Sequence, residues 1–546
     1  MTRLKAYGPP GCGKTTWLNS LVQVAVRNHG TSVLVASLTK AAAAELRGRE
    51  STLPPDRIGT LHSHCYRALG GSEMAQNHIA DWNESHPPEM LMTPQKGRAR
   101  SVTGEDDSAD DGDSFGGDAP GDLLLQSYEL ARQRMLPRGA WSNQLQGFAA
   151  KWEAWKSDID AMDFTDLIER AYHECDTPAG APRAAIFDEV QDFSRLELAL
   201  VNRWGPSFDS LALAGDPDQA IYTWRGADPE AFIDFAADHE RVLSQSYRIP
   251  ASVHRLSQRW VSRLSRRADQ PFLPRDAAGS VRVRPWSYTS GVEYLLEDAE
   301  RHCADGKSVM IVASCRYQLL PLIAEARHRG IPFANPYRLQ DRQWNPLTTT
   351  RGTSASTRLL TYLRPDPAVW GADHRIWTGK ELETWTKPLS AGVFGSRKAV
   401  AALDEETPVM LDWLSEHVNP DRRGLLDDLS PDSYARAILP SQYDPFMFPL
   451  AVAEHRGAAA LHEKPRLWIG TIHSFKGGEA DVVYVIPDLS PRGWESLQTD
   501  PDSVTRLFYV SITRCREELI LLNPSPRSGQ RYVAPLLRMA QQEIAA

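Results

Sequence analysis

The chain has no C-x-x-C pair, and its six cysteines, Cys12, Cys65, Cys175, Cys303, Cys315 and Cys515, are scattered through 546 residues. That spacing argues against a disulfide framework and against a cysteine-rich zinc or iron–sulfur centre, and it points to a reducing, intracellular setting. No stretch of about 18 apolar residues exists, so no membrane span is expected. Met1 to Tyr7 runs directly into a glycine-rich loop, leaving no room for a secretory signal; a cytoplasmic protein without a membrane partner is expected. An excess of positive charge is missing too: 61 Lys and Arg stand against 70 Asp and Glu, a net charge of −9. A histone-like polycation is excluded, but nucleic acid is not, because phosphates respond to local charge. What is present, 42% apolar and 24% charged residues, is ordinary globular composition and excludes collagen, a coiled-coil rod or a wholly disordered chain. At roughly 100–200 residues per domain the length implies three or four domains.

Short apolar runs alternate with helical patterns near both ends. Ser32 to Ala36 precedes a helical pattern at Ala41–Leu46, and Ser308 to Val312 precedes one at Leu319–Arg329. Such alternation predicts α/β architecture with parallel sheets. Between these regions, Glu105, Asp106, Asp107, Asp110, Asp111, Asp113, Asp118 and Asp122 occur with several glycines and no basic residue. Residues 105–122 are therefore read as a disordered loop inside an inserted domain. A calcium loop is not expected there, since Ala109 occupies a ligand position and Asp118 is shorter than the usual bidentate Glu. A second irregular stretch, roughly 336–460, is rich in Pro, Trp, Thr and Ser and reads as another insertion.

Gly8-Pro9-Pro10-Gly11-Cys12-Gly13-Lys14-Thr15 is a complete G-x-x-x-x-G-K-T between a strand pattern and a helix pattern that starts at Thr16. Glycines let backbone N–H groups close on phosphates at a helix N-terminus, Lys14 neutralises β/γ oxygens, and the Thr15 hydroxyl can hold magnesium. Gly11, Cys12, Gly13, Lys14, Thr15 and Thr16 are the candidate nucleotide contacts. Ala184 to Phe187 is a buried-looking strand followed by Asp188 and Glu189. After a P-loop this pair suits a nucleotide hydrolase, with Asp188 on magnesium and Glu189 orienting and deprotonating the attacking water.

Leu213-Ala214-Gly215-Asp216-Pro217-Asp218-Gln219-Ala220-Ile221-Tyr222-Thr223-Trp224-Arg225-Gly226-Ala227 resembles motif III of superfamily 1 helicases, more narrowly of the UvrD/Rep/PcrA group. Further similarities follow in family order: Ser37 to Ala42 (motif Ia, with Thr39), Gly59 to His64 (motif Ib), Asp163 to Leu167, Gln245 to Arg248 (motif IV), Thr471 to Glu479 (motif V) and Arg506 to Arg514 (motif VI). The resemblance implies two RecA-like domains, each carrying an insertion, with ATP and Mg2+ between them. It divides the chain into a first RecA-like domain at 1–70 and 161–243, interrupted by an accessory domain at 71–160, and a second at 244–335 and 461–546, interrupted by a reduced insertion at 336–460.

On this resemblance Gln219 senses the γ-phosphate, Arg248 and Arg514 reach it as cis arginine fingers, and Gly477 with Glu479 contacts the nucleotide. Thr39, Thr60, His62, Thr471 and His473 are the implied strand contacts, with Tyr222, Trp224 and Arg225 placed to stack on bases or meet the backbone; stacking tolerates any sequence. Arg255, Arg259, Arg263, Arg266 and Arg267 form a near i,i+4 stripe on an expected helix, a solvated face that can also attract phosphate. A metal or nucleophilic site at His62, His64 and Cys65 is set aside because these positions fall in motif Ib. The implied function is an ATP-dependent DNA helicase or single-strand translocase moving 3′ to 5′, with single-stranded DNA and single-strand/duplex junctions as partners and replication or repair proteins on the insertions. A translocase that strips proteins without unwinding, and a nucleotide-switched loading protein, are the alternatives.

Departures from the family pattern are specific. Only seven residues precede Gly8, where relatives carry an adenine-recognising glutamine segment, so base selectivity is left open. Leu38 and Leu61 stand at frequent aromatic positions, and Ser503 and Val504 replace acidic residues near motif VI. After the closing strand pattern at Glu517–Leu522 no space for a fused nuclease is expected. The compact form is reminiscent of helicases encoded by bacterial viruses, for which the host cytoplasm is the implied location.

Overall fold

The computed structural model describes residues 2–37, 53–94, 119–338, 341–349, 352–363, 376–390, 392–395 and 397–545. Thr39 and residues 105–118 of the acidic segment lie outside them, while Asp122, expected in the disordered loop, lies instead in the first turn of the helix Pro120–Gln133. The chain divides into two compact units: Met1–Arg284 with Thr471–Leu521 and Ser528–Ala546, and Pro285–Gly470 with Leu522–Arg527.

The strands in chain order begin with β1 (Thr2–Tyr7), β2 (Val33–Ser37), β3 (Ile58–Thr60), β4 (Glu73–Met74), β5 (Ala161–Met162), β6 (Ala184–Phe187), β7 (Ser210–Gly215) and β8 (His239–Val242). Six of them form one sheet in the order β3-β2-β6-β7-β1-β8, and every neighbouring pair is parallel. β2 reads Val-Leu-Val-Ala-Ser and is buried along its whole length, the pattern of a parallel strand covered on both faces. The helix Lys14–His29 buries Leu18, Val22 and Ala25, spaced by about one turn, against Val33, Val35 and Ile186. Each buried Leu, Val or Ile side chain of this set stabilises the unit by roughly 1.5–3 kcal/mol, and Ala25 by less.

Parallel pairing has a positional consequence: the carboxyl ends of all six strands lie along one edge, where ligands bind in open α/β sheets. Register sets Tyr7 opposite Gly215 and Phe187 opposite Leu213, so the residues following β1, β6 and β7 emerge side by side. Local signals start the flanking helices. Thr60 caps Leu61–Ala68, and capping boxes at Asp163/Asp166 and Ser194/Glu197 start Phe164–Glu174 and Arg195–Trp204.

Inserted into this unit, Trp82, Tyr128, Trp141, Phe148 and Trp152 form a small aromatic core. It is tied to the helix Phe164–Glu174 by buried charge. Asp163, fully buried, accepts from Arg132 Nη1 at 3.2 Å, Trp152 Nε1 at 3.1 Å and Lys156 Nζ at 2.6 Å, while Arg132 and Lys156 also reach Asp166. Every charge in this buried cluster is thus paired, as burial requires.

The later strands are β9 (Ser280–Arg284), β10 (Val309–Ala313), β11 (Phe333–Ala334), β12 (Ile376–Thr378), β13 (Pro408–Met410), β14 (Leu467–Thr471), β15 (Ala480–Val485) and β16 (Cys515–Leu522). A second six-stranded sheet has the order β11-β14-β10-β15-β16-β9, with β11 parallel to β14 and β15 parallel to β16. Two such sheets with intervening helices are the α/β class expected. The stretch 336–460, expected to be irregular, instead carries helices including Gly379–Thr386 and Pro431–Ala437 around buried Tyr362, Trp377, Trp385 and Tyr434. Its helices among the described residues are short, none longer than 10 residues, which obscures their periodicity. No helix of the described residues is long and apolar enough to cross a membrane.

The arginine stripe is corrected as well. Its helix ends at Val261, before Arg263, Arg266 and Arg267. Arg255 and Arg259 pair with Glu543, Arg266 with Asp234, and Arg267 with Asp218; Arg263 lies 5.2 Å from the Trp260 ring centroid. These cations serve carboxylates and packing within the unit, so the stripe does not form a free phosphate-attracting face.

His64 illustrates how tightly the first sheet is packed. Its Nε2 donates to the Val35 carbonyl at 3.2 Å, and burial pushes its pKa down from the ordinary 6.5 to about 4. A folded-state pKa below the unfolded one gives stability that is complete above the unfolded value and is lost as pH falls toward the folded value. Lowering the pH from about 7 to about 4.5 is expected to cost on the order of 2 kcal/mol at this residue. Urea unfolding of the native chain and His64→Gln at both pH values checks this, the variant losing less stability on acidification.

Candidate nucleotide site and strand-facing residues

The loop after β1 is positioned by backbone. Gly8 N donates to Gly215 O at 3.0 Å, and Tyr247 N donates to Gly11 O at 2.8 Å. Ser246 Oγ donates to Pro10 O at 2.9 Å, so motif IV lies directly on the loop. Gly11 and Gly13 have φ of +71° and +74°, and a Cβ on Gly11 would stand 2.4 Å from Arg248 Cβ. Only glycine satisfies both the left-handed backbone and that approach. Gly13 precedes the helix Lys14–His29, whose first N–H groups are the natural anion ligands of a helix start. Lys14 and Thr15 are half-buried beyond it and Thr16 is exposed. Burial pushes the Cys12 thiol up to about 11 against the pull of Lys14, which leaves it an unreactive packing group.

Directly beyond β6, Lys14 Nζ lies 2.9 Å from Glu189 Oε1 and 3.8 Å from Asp188 Oδ1. Burial alone would lower the lysine pKa, but the Glu189 and Asp188 carboxylates outweigh it and hold the ammonium above its usual range. Burial would likewise raise Glu189, yet Lys14 and Lys476 keep it below the ordinary carboxylate range. Glu189 has φ of +54°, a left-handed conformation that costs a non-glycine residue roughly 1–3 kcal/mol and clusters at functional sites.

Beyond β7, Gln219 is held at both ends. Its Nε2 donates to Asp216 Oδ2 at 2.6 Å, and its Oε1 accepts from Arg514 Nη2 at 2.6 Å. Arg514 is 2% exposed and also donates to Gly478 O at 3.2 Å. Arg248 Nε donates to Glu479 Oε2 at 2.6 Å, and this guanidinium holds the Glu479 carboxyl below its usual range against burial. Lys14, Asp188 and Glu189 are thus brought together, Gln219 meets Arg514, and Arg248 meets Glu479. Gly477 is exposed, with φ of +85° and open space around its Cβ position. The donor set is a glycine-rich helix start, a lysine, two arginines, a hydroxyl and two carboxylates, all chemistry for a polyphosphate and a hard divalent cation.

The strand-facing candidates divide differently. Tyr222 is 2% exposed, with Lys476 Nζ 4.8 Å from its ring centroid and the His473 ring at 6.0 Å. It therefore presents no open face to a base, which corrects the stacking expectation; Trp224 and Arg225 beside it are half-buried. Thr471 is 4% exposed and its hydroxyl accepts from Ser474 N at 3.3 Å, a turn-closing role that withdraws it from a strand. Thr60 caps its helix through Ser63 N at 3.2 Å. His62 is half-buried, 3.8 Å from Glu197 and edge-on to Phe164, and His473 is half-buried.

Several neighbours escaped the sequence reading. Tyr247, inside motif IV but not among the candidate contacts, is 73% exposed, and a Cβ on Gly13 would sit 3.8 Å from its ring; an aromatic beside a motif arginine was the available signal. Gln191 Oε1 accepts from Asp216 N at 2.9 Å. Asp192, pushed up to about 6 by burial despite Lys476, pairs with that lysine. Gln270 Nε2 donates to Asp216 at 2.9 Å and Asp218 at 3.1 Å, fixing the carboxylate that orients Gln219. No local pattern signals a pair 284 residues apart such as Lys476–Asp192.

Residues 3–225 match the family described as the AAA domain, and residues 466–522 match the UvrD-like helicase C-terminal domain. The Bacillus subtilis protein named "Putative ATP-dependent DNA helicase YjcD" is 23% identical over 629 aligned positions, covering 98% of this chain and 79% of that protein. ATP-dependent DNA helicase PcrA of Bacillus subtilis is 26% identical over 290 positions, 47% of this chain and 37% of PcrA. PcrA of Staphylococcus aureus strain Mu50 is 23% identical over 327 positions, 56% of this chain and 44% of that protein. The chain spans less than half the length of these PcrA relatives.

Two glycines separate backbone strain from steric approach. Gly477→Ala meets only the left-handed penalty, about 1 kcal/mol, whereas Gly11→Ala adds the collision with Arg248. Thermal melting is expected to show the Gly11 variant clearly less stable than the Gly477 variant; equal losses would contradict the close approach.

Proposed function

Because the chain belongs to the UvrD/PcrA-like superfamily 1 helicases, we propose that it is an ATP-dependent DNA helicase whose residues hydrolyse ATP at the edge of the first sheet and move along a single strand from 3′ to 5′. The observation that carries the reading is the meeting of Lys14 with Asp188 and Glu189 beside Gln219–Arg514 and Arg248–Glu479. Phosphates of ATP are assigned to the backbone of Gly11, Cys12 and Gly13, to Lys14, and to the N-terminus of the helix with Thr15 and Thr16. Thr15 and Asp188 are assigned to Mg2+, which supplies charge neutralisation on the β/γ oxygens.

Lys14 then has two competing partners. Drawn to phosphate oxygens, its ammonium leaves Glu189, whose carboxylate becomes free to orient and deprotonate water. Arg248 and Arg514 donate to the transferring phosphoryl group and stabilise the charge that develops there, with Gln219 reporting its presence to Arg514. Gly477 and Glu479 sit with Arg248 at the nucleotide. Trp224, Arg225, His62 and His473 are assigned to the strand, Trp224 through stacking and the others through phosphate. Exposed Tyr247 beside the loop offers a stacking face for the base of the nucleotide. The segments 71–160 and 336–460 are proposed as the accessory insertions that meet duplex or partner proteins.

Strand displacement on identical duplexes bearing a 3′ tail, a 5′ tail or no tail tests the reading. Displacement is expected from the 3′ tail alone, with ATP and magnesium, and Lys14→Ala should lose at least about 100-fold of the hydrolysis rate, the scale of one phosphate-stabilising group. Displacement from the 5′ tail would overturn the polarity. Strand-stimulated hydrolysis without displacement would leave a translocase.

A further inference from the structure

We propose that Lys476, Asp192 and Gln191 form a positioning relay that couples the aromatic cluster around Tyr222 to the carboxylate of Glu189. The proposal rests on the reading that Glu189 activates water and that a strand passes Trp224 and His473. Lys476 stands at the junction of two environments. Its ammonium pairs with Asp192 Oδ2, the two side chains being 12% and 1% exposed, and it lies 4.8 Å from the Tyr222 ring centroid. That ring is 6.2 Å from Trp224 and 6.0 Å from His473.

From Asp192 the path continues inward. Gln191, fully buried, donates from Nε2 both to Asp192 Oδ2 at 3.2 Å and to Glu189 Oε2. Its Oε1 is fixed by Asp216 N, so the amide cannot turn without releasing the loop after β7. One NH2 group therefore serves two carboxylates of like charge. Among the described residues Asp192 Oδ1 is buried without a hydrogen-bond partner, which leaves compensation of this carboxylate to Oδ2. While Lys476 neutralises Asp192, the Gln191 amide is available to hold Glu189 in one rotamer. When Lys476 is drawn away, Asp192 becomes an uncompensated charge that competes for the amide and repels Glu189. A strand that presses on Trp224 or His473 pushes the Tyr222 ring toward Lys476 and seats its ammonium on Asp192, so the relay holds the hydrolytic carboxylate in place when the strand is bound. None of the three residues touches the reacting atoms; they act through Glu189.

ATP hydrolysis by the full chain, measured with and without oligothymidylate, separates this role from a merely structural one. In Lys476→Met and Asp192→Asn the strand-stimulated kcat is expected to fall at least about tenfold while KM for ATP stays within about twofold, the signature of an interaction lost in the transition state alone. The ratio of stimulated to strand-free rate should collapse toward one, and Lys476→Arg, which keeps the charge, should recover most of it. Melting curves identify any variant that fails to fold, and Lys476→Arg against Lys476→Met then decides the matter. An unchanged ratio in folded Lys476→Met and Asp192→Asn would overturn the relay, as would rates falling in proportion with a raised KM. Absence of hydrolysis by the native chain, with or without strand, would sink the hydrolase reading itself, whereas hydrolysis that the strand does not stimulate would overturn the relay alone; both are visible before any substitution is made.

Discussion

A charge removed from water must find a partner, and at the carboxyl edge of the first sheet that constraint decides where almost every side chain points. Lys14 faces Glu189 and Asp188, Lys476 faces Asp192, Arg248 faces Glu479, and Arg514 faces the Gln219 amide. Leaving the buried Lys14 or Lys476 without its carboxylate would cost about 3–5 kcal/mol, a large fraction of the stability of a domain. The sheet creates the problem by aligning the ends of β1, β6 and β7, and the pairing answers it. Rearrangement at this edge must therefore proceed by exchange of partners, since no cation here can simply be released.

The backbone makes the same edge stiff. Gly11 lets Arg248 approach to a distance that a Cβ would forbid, and two hydrogen bonds from Ser246 and Tyr247 lock motif IV onto the loop. Behind Gln219, Asp216 and Asp218 share Gln270, with Arg267 closing the set. The sensing role proposed for Gln219 requires that its carbonyl and amino ends cannot interchange. Asp216 accepts from the amino end and Arg514 donates to the carbonyl end, so the orientation is fixed from both sides.

Legibility in the sequence followed distance along the chain. The P-loop and the carboxylate pair are each contiguous, and their local context of strand, turn and helix start is written in neighbouring residues. The α/β class was readable from alternation for the same reason. What was hidden depends on pairing between remote segments: Lys476 with Asp192, the Arg255 and Arg259 stripe with Glu543, and Gln270 with Asp216. Tyr222 and Thr471 carry the right chemistry for a strand, but whether a ring lies open or beneath a lysine, and whether a hydroxyl is already closing a turn, depends on packing that no motif encodes. The segment 336–460 was misread because its helices are too short for a 3.6-residue period to emerge above its Pro, Ser and Thr content.

The pairings also constrain how binding and chemistry can be linked. A polyphosphate entering this edge meets cations that already hold partners, so its net gain is the difference between two sets of charge-assisted bonds and is smaller than either. That difference is where coupling resides. On the proposed assignment of these cations to phosphate, each would set free the group it held, Glu189 in the case of Lys14, Gln219 in the case of Arg514 and Glu479 in the case of Arg248. An arrangement with unpaired cations would bind the nucleotide more tightly, yet nothing else in the protein would change on binding. Pre-pairing weakens the grip and gives every contact a second consequence, which is what the proposed motor would require of its fuel site.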